Sequence, residues 1–136
     1  IGSGPEKENL EKLIQKHKLN NFFLLGKINQ ASEYLKAFEI FTLTSTKEGL
    51  PYTLLEALEA EISIITSNLE SCLEIIKNNQ NGLIFEAANV DDLAYKIQTI
   101  LNNTQFAEGI KAQTKNSLKK FNFDEFIKKI KVLYLN

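Results

Sequence analysis

Short apolar runs alternate along the chain with stretches whose apolar residues recur every three or four positions, as in a parallel sheet joined by crossover helices. "IGSGP" at the start reads as the tail of a strand turning through two glycines, after which Leu10, Leu13, Ile14 and His17 recur at helical spacing. "FFLLG" at 22–26 predicts a buried strand stopped by Gly26. Tyr34, Leu35 and Phe38 mark one face of the next helix, and "FEIFTLTS" at 38–45 supplies the following strand.

Pro51 suits a first helical turn, and Leu54, Leu55 and Leu58 form an apolar stripe, so the pattern predicts a helix over 51–60. "EISIITS" is rich in β-branched residues and reads as a strand. A short helix around 73–77 runs into "NNQNG", where Asn81 and Gly82 tolerate a left-handed backbone and turn the chain into the strand "LIF". Asn89 is placed to cap a helix with Asp91 and Asp92 in its first turn and Leu93, Ile97, Ile100 and Leu101 facing inward. From 104 onward the pattern is helical, first polar, then with Phe123, Phe126, Ile127, Ile130, Leu133 and Tyr134 at steps of three and four. The expected architecture is α/β: a three-layer, Rossmann-like parallel sheet with extra C-terminal helices, in one domain over 1–136.

Composition narrows the chemistry. With 136 residues, 43% hydrophobic and 24% charged, the chain suits a domain with an adequate core. Sixteen basic against seventeen acidic residues leave a formal charge of -1, no field for a nucleic-acid backbone or an anionic bilayer. One cysteine, Cys72, forms no internal disulfide, and neither a long apolar run nor a signal-peptide pattern is found, which favours a reducing cytosol and no direct membrane insertion of this segment. One histidine and one cysteine argue against a zinc cage. His17 reads as a packed or edge histidine, Cys72 as a small core side chain and Lys47 as a solvated loop lysine.

The stretch "KEGLPYTLLEALEAE" at 47–61 carries the most chemistry. A helix starting near Pro51 leaves its first N–H groups without carbonyl partners, and its dipole adds partial positive charge there, a favourable place for phosphate. Gly49 lets a ligand approach the backbone closely. Five helical steps separate Pro51 from Glu56, roughly 7.5 Å. Glu48 and Glu56 are thus spaced to flank a diphosphate, each carboxylate accepting hydrogen bonds from the hydroxyls of a neighbouring sugar. The same two residues also fit a charged loop and a solvated helix face. Position at the C-terminal end of a parallel strand, where open α/β sheets bind ligands, adds weight to the binding reading and leaves the charged-loop reading open.

The blocks "SxxEGLPxxLLEA" at 45–57, "IITS" at 64–67, "EII" at 74–76, "NGLIF" at 81–85 and "DDLAYKIQTIL" at 91–101 resemble, in order and spacing, the C-terminal half of family 4 (group 1) glycosyltransferases of the GT-B fold. "IGSGP", "FFLLGKI" and "FNFDEFIKKIKVLY" extend the likeness over nearly the whole chain. The resemblance implies a retaining transfer of a hexosyl-type sugar from a nucleotide-sugar donor, a UDP- or GDP-sugar, to an acceptor hydroxyl, with no cofactor and no metal. It gives Glu48 the donor sugar and the charge developing at its anomeric centre, and Glu56 the ribose. It places Gly49, Leu50, Pro51, Tyr52 and Thr53 around the diphosphate and Lys27 and Ile28 in the loop framing the base.

By the same resemblance the segment is truncated at its N-terminus and inactive alone. An absent N-terminal domain supplies the glycan or lipid-linked acceptor site, and the full-length enzyme works in the cytoplasm, at the inner membrane face, in surface glycan synthesis. An arginine and a lysine against the diphosphate are expected upstream. The family usually has glycine where Glu61 stands and glycines where Glu70 and Ser71 stand, which puts donor affinity in question. Two other readings stay open: a nucleotide-sugar epimerase of the same fold, and a degenerate domain kept for interaction. A flavodoxin-like signalling domain fits less well, since no acidic pair follows an early strand.

Overall fold

Three short strands, β1 (Ile40–Leu43), β2 (Ser63–Ser67) and β3 (Leu83–Phe85), lie parallel in that order in a computed structural model, which describes Gly2 and residues 4–119. Every residue of β2 is buried, as a central strand covered on both faces must be. Register pairs Phe41 with Ile64 and Ile65 with Leu83. Because successive side chains in a strand point to opposite faces, the sheet divides its apolar residues into two cores.

On one face Ile64 packs in a cluster with Leu54, Ala57, Leu58, Cys72, Ile75 and Ile76, joined by Phe41, Leu43 and Ile84. On the other, Ile65, Leu83 and Phe85 pack with Ile100, Ala107 and Ile110, joined by Leu93 and Ile97. The first face is covered by α2 (Tyr52–Glu59) and α3 (Glu70–Ile75), the second by α4 (Val90–Asn102) and the start of α5 (Thr104–Leu118). This is the expected three-layer α/β arrangement. Leu118, at the far end of α5, joins the first cluster, so one helix contributes to both cores.

Local chemistry explains most boundaries. Asn89 caps α4 by accepting from the Asp92 amide at 3.0 Å, as its position predicted, and Asn103 does the same for α5 through the Phe106 amide at 3.0 Å. Pro51 is the residue before α2 rather than in it, with φ -77° and ψ 87°. Helix α3 begins at Glu70, earlier than the 73–77 expected, because Leu69 holds an extended backbone and Glu70 sits favourably in the first turn; the extended Ile76 ends it. Leu101 corrects an expectation: it is 58% exposed, and only Leu93, Ile97 and Ile100 of the proposed stripe reach the core.

The turn before β3 works differently from its sequence reading. The left-handed residue is Asn79, at φ 61°, not Asn81 or Gly82. Asn81 is instead buried and acts as a brace, its Oδ1 accepting from the Lys77 amide at 2.6 Å and its Nδ2 donating to the Ile75 carbonyl at 3.1 Å. Gly82 is needed for space, since a Cβ there would lie 2.8 Å from Ile76 Cγ2 and 2.9 Å from the Ile64 carbonyl oxygen.

The chain divides into two units, Ile1–Glu33 and Tyr34–Asn136, and the sheet belongs to the second. The first holds α1 (Lys7–Lys16), with Leu10 and Leu13 on it largely exposed. The two strands expected in this unit are not formed among the described residues. Gly2 donates to the Gly26 carbonyl at 2.7 Å, a single bond where a ladder needs several, and Phe22, Phe23 and Leu25 are exposed rather than buried. Gly26 does turn the chain, at φ 68°. The division falls within a 3₁₀ helix, Ala31–Ala37, that replaces the expected α-helix; Leu35 is buried, while Tyr34 and Phe38 are exposed. The predicted closing apolar positions, Phe123 to Tyr134, lie outside the described residues.

Candidate functional site: the loop after β1 and the start of α2

The loop leaving the C-terminal end of β1 carries Glu48 and is held by three serines from three parts of the fold. Ser45 Oγ donates to Glu48 Oε1 at 2.6 Å. Ser67 Oγ, at the end of β2, donates to the Ser45 carbonyl at 2.7 Å. Ser71 Oγ, on α3, donates to the Glu48 carbonyl at 3.3 Å. The carboxylate of Glu48 therefore has one oxygen engaged and Oε2 turned to no other side chain among the described residues.

The loop feeds α2, whose first turn is open. Pro51 has no N–H, the Tyr52 amide turns back to the Leu50 carbonyl at 3.0 Å and the Leu54 amide to the Pro51 carbonyl at 2.9 Å. The amides of Gly49, Leu50 and Thr53 have no hydrogen-bond acceptor among the described residues. Leu50, Tyr52 and Thr53 are exposed, and Pro51 is buried beneath them. Glu56 stands one turn further on, exposed, with its carboxylate paired to no cation among the described residues. The start of α2 thus presents three amides without an acceptor among the described residues, preceded in sequence by Glu48 and followed by Glu56, neither carboxylate paired to a cation among those residues.

A cavity of about 530 Å³ adjoins this loop, lined by Lys47, Glu48, Gly49 and Leu50 on one side and by Glu70, Ser71 and Glu74 on the other. Glu70, suspected from sequence of placing negative charge near the ligand, does share this space with Glu48. Among the described residues, no group of three or more His, Cys, Asp or Glu side chains is arranged to hold a metal ion.

The remaining candidates sort as follows. Lys27 and Ile28 follow the Gly26 turn in the first unit, Lys27 exposed and Ile28 half-buried. His17 ends α1 at the surface and Cys72 is fully buried in a core cluster. Ser45 and Ser67 carry no assignment from sequence. The signal available was slight: a serine three residues before a glutamate in a strand-to-helix turn, the spacing at which a hydroxyl meets a carboxylate.

A model of the family described as glycosyl transferases group 1 matches residues 1–117. The chain belongs to this family. Among its relatives, the O-antigen biosynthesis glycosyltransferase WbnH of Escherichia coli is 35% identical over 103 residues, covering 76% of this chain and 29% of that protein. The fold agrees. A crystal structure of a mutant TarM from Staphylococcus aureus, in complex with fondaparinux, α-GlcNAc-glycerol and UDP, superposes with a TM-score of 0.91 at 24% identity, over 100% of this chain and 28% of that one. The C-terminal domain of LpcC, a group 1 glycosyl transferase from Francisella tularensis, gives 0.72 at 20% identity over 84% and 60% of the two chains. The architecture is that of the C-terminal domain of a GT-B glycosyltransferase. The chain spans less than a third of the length of WbnH and of TarM. Among the described residues, no helix is long and apolar enough to cross a membrane.

Proposed function

We propose that this chain is the nucleotide-sugar-binding half of a retaining, hexosyl-type glycosyltransferase. The observation that carries the reading is the open start of α2, where the Gly49, Leu50 and Thr53 amides, without an acceptor among the described residues, lie in sequence between Glu48 and Glu56 within the segment matched by the family. The diphosphate of a UDP- or GDP-sugar sits against these amides and the helix dipole, with Pro51 and Tyr52 shaping the turn. Glu48 accepts from donor-sugar hydroxyls and stabilises positive charge developing at the anomeric carbon as the leaving diphosphate departs. Glu56 accepts from the ribose hydroxyls. Lys27 and Ile28 keep the base-loop role that the resemblance gives them. No cofactor is required, and the acceptor, a glycan or lipid-linked hydroxyl, is held by groups beyond this chain. A role in surface glycan synthesis is favoured by similarity to an O-antigen biosynthesis enzyme, and the reading places that role in the cytoplasm.

Titrating the 15N-labelled chain with UDP and GDP tests the reading. Weak binding with amide shifts concentrated in 48–56, lost in Glu56→Ala, is expected. No shift in that segment with either nucleotide would overturn it.

A further inference from the structure

Glu48 does not reach its position unaided. Its side chain is exposed, and an exposed glutamate ordinarily samples several rotamers that must be given up when it grips a ligand. Here the Ser45 hydroxyl takes Oε1 at 2.6 Å, a short bond of the charge-assisted kind. Ser45 is held in turn, its carbonyl accepting from the fully buried Ser67 at 2.7 Å. The path thus runs from the end of the central strand, through Ser45, to one carboxylate oxygen.

We infer that Ser45 is a positioning residue for Glu48, anchored by Ser67, and that this relay presents Oε2 to the sugar of the donor. The inference rests on the proposed donor-binding reading of the site. Ser71 tethers the same residue by its backbone, through the Glu48 carbonyl at 3.3 Å, and fixes where the loop lies rather than how the carboxylate is turned. A typical hydrogen bond is worth about 0.5–1.5 kcal/mol net, and the exposure of this one to water keeps it in that range despite the charge, a factor of about 2–10 in affinity. Only ligands that touch the Glu48 carboxylate feel that factor. A nucleoside diphosphate lacks the sugar and does not.

The test is calorimetric, on the natural full-length protein, with UDP, GDP, UDP-N-acetylglucosamine, UDP-galactose and GDP-mannose as probes. The tightest sugar nucleotide and its parent diphosphate are then titrated into Ser45→Ala, Ser45→Thr and Ser67→Ala, with thermal unfolding as a control. Ser45→Ala should weaken the sugar nucleotide about 2–10-fold and leave the diphosphate unchanged. Ser45→Thr, which keeps the hydroxyl, should restore affinity, and Ser67→Ala should show a smaller loss of the same selective kind. Equal weakening of both ligands, or no weakening of either, in a folded Ser45→Ala protein overturns the relay while leaving donor binding intact. A wild-type protein that binds none of the five probes overturns the parent reading, and the relay with it.

Discussion

Lys115 Nζ lies 3.0 Å from Glu61 Oε1, joining α5 to the turn between α2 and β2. Glu61 holds a left-handed backbone, at φ 56°, which explains why a glycine is usual at this place in the resemblance: the chain must reverse there to enter the central strand. The carboxylate offsets part of the strain by pairing with Lys115 of α5. Both side chains are well exposed, so the pair contributes little.

Glu61→Gly is therefore expected to leave stability unchanged or raise it by up to about 2 kcal/mol, because a left-handed L-residue costs about 1–2 kcal/mol and an exposed ion pair returns about 0–1 kcal/mol. Urea unfolding of the two proteins decides it. A loss larger than about 1 kcal/mol would mean the ion pair outweighs the strain.

Glu70 shares the cavity with Glu48, so in the proposed donor site its charge would oppose an anionic ligand. Glu70→Gln should tighten binding of UDP or a sugar nucleotide about 2–5-fold at low ionic strength, and the gain should shrink as salt screens the repulsion. Equal affinities at low salt would show that the donor does not sense Glu70. A small loss of helix stability should accompany the change, since Glu70 lies in the first turn of α3.

Gly82 has no room for a methyl group against Ile76 and Ile64. Gly82→Ala should cost about 1–3 kcal/mol by overpacking, seen as a lowered urea midpoint with little change in slope.

Asn81→Ala should cost about 1–3 kcal/mol for the groups it leaves unpaired, because the Lys77 amide and the Ile75 carbonyl both depend on that one amide side chain. A thermal shift within error of wild type would show that water replaces it.

The sheet and its helices were legible because their cues are local. Ser63–Ser67 is β-branched and apolar, Asn89 precedes two acids, and Leu54 and Leu58 lie on one helix face, so short windows suffice. The failures share a cause. "FFLLG" has the composition of a buried strand, but a strand also needs a paired neighbour, and five residues say nothing of whether one exists. Asn81 and Gly82 were read as turn residues from their type, whereas their work is a buried brace and a close approach set by Ile64, eighteen positions away. The start of α2 and the acids Glu48 and Glu56 stood out as a candidate site because they lie in one continuous stretch. The bonds of Ser67 and Ser71 did not, since these serines meet that stretch from 22 and 23 positions further on.

Helix α5 begins in the core on one side of the sheet, through Phe106, Ala107 and Ile110, and ends at Leu118 in the core on the other. Two cores separated by a sheet have no direct contact through which to melt together. A helix packed into both supplies it, so fraying of α5 loosens each core at once, and the sheet-bearing unit should unfold in a single cooperative transition rather than face by face.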